Sequence, residues 1–123
     1  MAGVALATAE VFGSVKKIKF VWTTASSSSG AATGTTTEAF NGKVEQLVTV
    51  PGASAAAPSA SYDVTVVDQD SVDILAGAGA NRHTANTEQV IATSLGVIAN
   101  DTMTVNIAAA GSSNGGTVYV YVR

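Results

Sequence analysis

An all-β fold, an antiparallel β-sandwich or Greek-key barrel of about seven or eight strands, is predicted by three features of the sequence. Seventeen valines and fifteen threonines stand against four leucines, four lysines and four glutamates. β-branched residues suit a pleated surface and lose rotamer freedom in a helix. Several short runs alternate apolar with polar residues, the period-two pattern of a half-buried strand. Turn-forming or Ala/Ser/Gly/Thr-rich stretches separate those runs at roughly ten-residue intervals, as in small sandwiches and barrels.

In chain order, residues 1–14 (MAGVALATAEVFGS) are small and apolar without a clear period. They are expected to form a short helical turn, or an N-terminal arm that orders only against a partner, leaving 15–123 as a single sandwich domain. Val15 to Thr23 (VKKIKFVWT) is the first strand, with Ile18, Phe20 and Trp22 on one face and Lys17 and Lys19 on the other. The composition of 25–34 (ASSSSGAATG) is that of a loop. Residues 35–40 and 43–50 read as a hairpin closed by Asn41-Gly42, a dipeptide that tolerates positive φ at both central positions.

Pro51-Gly52 ends that strand, and a second hairpin is expected from 62–67 and 72–75 about Asp68-Gln69-Asp70-Ser71. Residues 77–80 break the sheet, 81–88 are polar with room for one helical turn, and 89–93 read as a short strand. Residues 103–108 alternate, 109–116 are a loop, and 117–123 close the chain as a strand with Val118, Val120 and Val122 on one face and Tyr119 and Tyr121 on the other.

A chain of 123 residues is one domain, able to bury roughly two-thirds of its unfolded surface. About half of it is Ala, Gly, Ser and Thr, which bury little apolar area per ordered residue. Association with copies of itself or with a larger surface would supply the missing burial. Charged residues make up only 12% of the chain, and six basic residues face nine acidic ones. That balance argues against a nucleic-acid partner. It suits a packed assembly component, or alternatively a neutral Thr-rich extracellular domain. The absence of cysteine excludes disulfides and thiolate chemistry. No run of eighteen apolar residues exists, so no membrane partner is expected. Residues 1–9 lack the basic start of a secretory leader.

Candidate chemistry is sparse. Asp68, Asp70 and Asp73 (DQDSVD) superficially suggest a calcium loop, but Asp73 falls where such a loop needs Gly. Turn stabilisation by Asp68 and Asp70 through side-chain to backbone bonds is the expectation. Gly77, Gly79 and Asn81 match half of a dinucleotide fingerprint without its helix or third glycine, so a turn or bulge is expected. His83, the sole histidine, has no cysteine or second histidine to work with; solvent contact or an intersubunit hydrogen bond is its expected role. Lys16, Lys17 and Lys19 read as the solvated face of an edge strand. Phe20 and Trp22 read as core anchors rather than a carbohydrate platform. No catalytic residue, cofactor or metal is expected.

From about residue 15 onward the chain resembles small virion structural proteins of tailed bacteriophages. The resemblance lies in GKVEQLVTVPG (42–52), SYDVTVVDQDSVDILAGAGANR (61–82) and the closing GTVYVYVR (116–123). The Tyr-Asp-Val-Thr segment followed by Asp-Ile-Leu and Gly-x-Gly-x-Asn is its specific part; Ser71 stands where the family's turn usually carries Gly. The resemblance implies a virion component of the capsid decoration (cement) type. Such proteins are made in the host cytoplasm and sit on the phage head surface as homo-trimers that bridge major capsid protein subunits. It carries over no catalytic residue.

Candidate partner contacts are Val4, Leu6, Val11 and Phe12 in the arm, with Arg82 and His83. Deletion of residues 2–12 is expected to leave a folded sandwich that no longer binds heads. The loops at 25–34 and 109–116 are candidate rim contacts. Two other readings remain beside this one: a virion part at the neck, tail or head fibre, and a glycan- or host-surface-binding module, which requires exposed aromatic rings.

Overall fold

The computed structural model describes residues 3–25, 30–91 and 95–123. Nine strands form among them: β1 Gly3–Phe12, β2 Val15–Thr23, β3 Ala32–Thr35, β4 Phe40–Pro51, β5 Asp63–Val67, β6 Glu88–Ile91, β7 Val97–Asp101, β8 Thr104–Ala108 and β9 Gly115–Val122. They run β5-β8-β3-β1-β2-β9-β4-β6 in a single curled sheet, with β7 added to the start of β4. The fold is all-β.

Two layers result because the sheet changes direction at a thin joint. β1 pairs with β2 along its whole length, Val4 opposite Thr23 to Phe12 opposite Val15. To β3 it is joined, in parallel, only at Gly3 and Val4. One layer is therefore β1-β2-β9-β4-β6 and the other β3-β8-β5. Between them lies a core of Ile18, Phe20, Trp22, Leu47, Val118, Val120 and Val122 against Tyr62, Val64, Val66, Met103, Val105 and Ile107, all buried. The alternation read in 15–23 and 117–123 sets this face.

Residues 3–12 are a strand, not the helical turn or unpartnered arm that the composition led us to expect. The reason lies across the strand pair. Ala5 stands opposite Trp22, Ala7 opposite Phe20 and Ala9 opposite Ile18. Small side chains leave room for large neighbours, as close packing requires. Removing 2–12 would thus strip a strand from the sheet rather than trim an accessory arm, so its effect on binding could not be separated from its effect on folding.

Asn41-Gly42 does not close a hairpin. β4 runs straight through it, with a register irregularity between Phe40 and Gly42 against β7. Gly42 has φ +138°, and a Cβ there would lie 2.6 Å from the carbonyl oxygen of Arg123. The glycine lets the last strand approach, a bulge-type use of the residue. Residues 32–35, read as loop and hairpin strand, instead pair with β8 and β1.

The turn at 68–71 forms as expected, with the N–H of Ser71 donating to the carbonyl of Asp68 at 3.1 Å. Its second arm is no strand, because beyond a single bridge from Val67 to Asp73 the chain enters consecutive turns. β2 lies between β1 and β9, so its lysines do not guard a sheet edge.

Candidate functional site

Five of the eight large apolar side chains exposed on the described surface, Val4, Leu6, Val11, Phe12 and Val21, lie on the β1–β2 hairpin. Leu6 is 68% and Phe12 60% exposed. The exposure of Val4, Leu6, Phe12 and Val21 follows from the alternation, since the alanines of β1 take the inner face; Val11 shares the parity of the alanines and is exposed because it lies at the turn end of the hairpin. Past Val4, no described strand pairs with the other side of β1. An open strand edge and an apolar outer face therefore coincide on one hairpin at the side of the larger layer.

Arg82 and His83 lie elsewhere and are differently employed. Arg82 is half-buried; its Nε and Nη2 donate to the carbonyl of Ala80 at 3.2 and 3.1 Å, and its Nη1 lies 3.7 Å from Glu88. The ring of His83 accepts backbone N–H bonds from Ala85 and Asn86 through Nδ1, at 2.9 and 3.0 Å. The backbone N–H of His83 donates to Glu88 Oε1 at 2.7 Å. The imidazole shapes the 83–88 loop, and the structure does not bring it together with the β1 residues.

The outer face of the larger layer carries Tyr119 and Tyr121, with ring centroids 6.4 Å apart. The Lys17 ammonium sits 4.9 Å from the centre of the Tyr119 ring, and Lys19 6.0 Å from it. This cation–π contact explains the lysines of β2 better than edge protection, and it occupies the ring that a sugar would stack upon. Trp22 and Phe20 are fully inside the core, as expected. The rim loops are laced together: the Thr24 hydroxyl donates to Gly111 at 2.6 Å and accepts from the Asn114 N–H at 2.9 Å, and Ala110 donates to Gly30 at 3.1 Å. Residues 26–29 of the first loop lie outside the described residues.

Carboxylate oxygens of Asp68, Asp70 and Asp101 come within 4.8 Å of one another. Asp68 Oδ1 accepts the N–H groups of Asp70 and Val72 at 2.9 and 3.0 Å, and Asp101 accepts those of Gln69 and Thr102 at 3.1 and 2.8 Å. These are loop-closing bonds, and the acidic cluster alone defines no metal site. Asp68 plays the turn role expected of it, whereas Asp70 supplies only its N–H. Asp73, third in the apparent calcium pattern, turns its carboxylate to other backbone groups. The Gly77 to Asn81 stretch is a turn, in which Gly79 is needed because a Cβ would lie 2.0 Å from the Val64 carbonyl oxygen.

Beneath this surface, Trp22 Nε1, Thr49 Oγ1 and Tyr62 Oη are buried with no hydrogen-bond partner among the described residues. Burial pushes the Tyr62 phenol above its ordinary value of 10.0, opposed by the neighbouring Thr49 hydroxyl, raised further by Glu88 and lowered by Arg82. The fold thus favours the neutral phenol. That contribution to stability is whole below the ordinary value and is lost as pH climbs through it towards the higher folded value. Tyr62→Phe is expected to flatten the decline in urea midpoint above pH 10.0. At neutral pH it should change stability by less than about 1 kcal/mol, because the Thr49 hydroxyl lies near the phenol without forming a well-made hydrogen bond to it. A loss of several kcal/mol at neutral pH would show that the hydroxyl is firmly bonded.

No protein-family model matches the chain, and no curated protein matches it. Among solved structures, a chain described as a new low-affinity xylan binding module from the xylanolytic gut symbiont Roseburia intestinalis is similar over 96% of this chain and 82% of its own, at 12% identity and a TM-score of 0.35. A likeness so distant carries no argument about what this chain binds.

Proposed function

We propose that the protein is a capsid decoration (cement) protein of a tailed bacteriophage. It binds the outer head surface and stabilises contacts between major capsid protein subunits. The observation that carries the reading is the concentration of exposed apolar side chains on the open-edged β1–β2 hairpin, in a chain otherwise poor in charge. Contiguous exposed apolar surface marks a place of association. The resemblance of 42–52, 61–82 and 116–123 to virion structural proteins supplies the setting. Linked copies engaging several capsid sites gain avidity without any one contact being strong.

The test is to add purified protein to heads lacking decoration and image them. Saturable density at regular positions on the outer surface is the expected result. Density confined to the neck, tail or fibres would replace this reading with that of another virion component. A glycan-binding role rests on Tyr119 and Tyr121. It is favoured only if heads remain bare while a glycan array shows binding that Tyr119→Ala abolishes.

A further inference from the structure

We infer that the open edge of β1 pairs with β1 of a second copy of this chain, antiparallel about a two-fold axis through Ala9, so that two domains share one continuous sheet. The inference rests on the proposed function only in treating the hairpin as adhesive; it adds the identity of the occupant and puts a two-fold dimer in place of the homo-trimer that the resemblance implies.

Every second residue of β1 turns its N–H and C=O away from β2, and from Leu6 to Phe12 no described strand receives them. Natural edges are commonly blunted by charge, proline, bulges or shortness. β1 has ten residues, regular pairing, no proline and one charged side chain, Glu10. Only its start is covered, by β3, which pairs with Gly3 and Val4 and lays Gly34 against the Ala5 carbonyl.

Register then selects the partner. To keep inner face with inner face, two antiparallel copies of β1 must pair residues of like parity. Centring on Thr8 would set Leu6 against Glu10 of the second copy. Centring on Glu10 would set two carboxylates face to face, which is unfavourable. Centring on Ala9 avoids both. Leu6 then faces Phe12, Ala7 faces Val11 and Thr8 faces Glu10 of the second copy.

The neighbouring strands agree with this register. Val21 lies beside Leu6, and Val15 beside Phe12. An apolar row of Val21, Leu6, Phe12 and Val15 therefore crosses both copies on the outer face. The next row is Lys19, Thr8, Glu10 and Lys17, because Thr8 pairs with Lys19 and Glu10 with Lys17. Each carboxylate falls in a row with two ammonium groups, and like charges are not opposed. The length fits as well. In this register the pairing runs from Leu6 to Phe12, and the Gly13 turn of the second copy ends it where Gly34 of β3 already lies against Ala5. A two-fold contact of this kind is self-complementary and closes on itself.

The experiment uses the full chain. Sedimentation analysis across micromolar to millimolar concentrations is expected to show a species of twice the 12.2 kDa chain mass. Leu6→Lys combined with Phe12→Lys should be monomeric over that range, with the near-ultraviolet circular dichroism of buried Trp22 unchanged, since both substituted side chains are exposed. The chain has no cysteine, so Leu6→Cys and Phe12→Cys can report the register. Under oxidation a mixture of the two variants should give a covalent dimer, and each alone should not, because only opposed residues come within disulfide reach. A wild type that stays monomeric, a trimer, or a dimer that the double lysine variant leaves intact would each overturn the inference. Equal cross-linking of either cysteine variant by itself would overturn the register. Heads still decorated by a protein that never dimerises would remove this inference and leave the proposed function; a dimer that ignores heads would do the reverse.

Discussion

Trp22→Ala is expected to cost about 3–5 kcal/mol of stability, as truncation of a large buried aromatic does. That is a large part of the roughly 5–15 kcal/mol available to a small domain. Trp22 is 1% exposed, and its ring lies 5.6 Å from that of Tyr62 across the two layers. Beneath it Gly116 makes room, since a Cβ there would stand 2.8 Å from Trp22 Cζ2. The strand neighbours that would have to collapse into the space are Ala5 and Gly116, both small and both held by sheet pairing. The cavity should therefore stay open, and the urea midpoint should fall sharply. Trp22→Phe, which keeps most of the contact, should lose less than half as much. Any loss of partner binding in Trp22→Ala should follow the unfolded fraction, because the side chain cannot reach a ligand. Binding lost from a variant of unchanged urea midpoint would contradict this and would point to a surface role for the indole.

How far the sequence foretold this arrangement depended on which face of a strand carried the bulky residues. β2 and β9 were legible because Ile18, Phe20 and Trp22, and Val118, Val120 and Val122, put their bulk inside. β1 reverses the usual pattern: alanines at 5, 7 and 9 face inward and Val4, Leu6 and Phe12 outward. Periodicity alone therefore shows no core face, although it still picks out the exposed apolar positions. Asn41-Gly42 misled for another reason. Turn chemistry describes only what a backbone tolerates, and a glycine needed for the close approach of residue 123 looks the same in sequence as one needed for a hairpin. The open edge could not be read at all, since it depends on where β3 leaves β1, a matter of tertiary pairing between residues 29 positions apart.

The acidic segment 68–73 separates three aspartates that composition treats alike. Asp73 Oδ1 accepts the N–H of Leu75 at 3.0 Å and that of Val66 at 3.3 Å, while Oδ2 accepts that of Gly77 at 2.9 Å. One carboxylate thus ties β5 to the turns after it and holds Ile74 and Leu75, both buried, against the core. Asp73→Ala would leave three backbone donors to find water or go without, at a cost of about 2–4 kcal/mol when bonds to a charged acceptor are lost. Asp73→Asn keeps one acceptor oxygen for Val66 and Leu75 and should cost only about 1 kcal/mol. Asp70 accepts no hydrogen bond among the described residues and stands close to Asp68 and Asp101. Removing its charge relieves repulsion, so Asp70→Ala should be neutral or slightly stabilising, within about 0.5 kcal/mol. Urea unfolding of the three variants supplies the comparison. If Asp70→Ala proved as damaging as Asp73→Ala, the cluster of carboxylates rather than the single aspartate at 73 would be what organises this end of the sandwich.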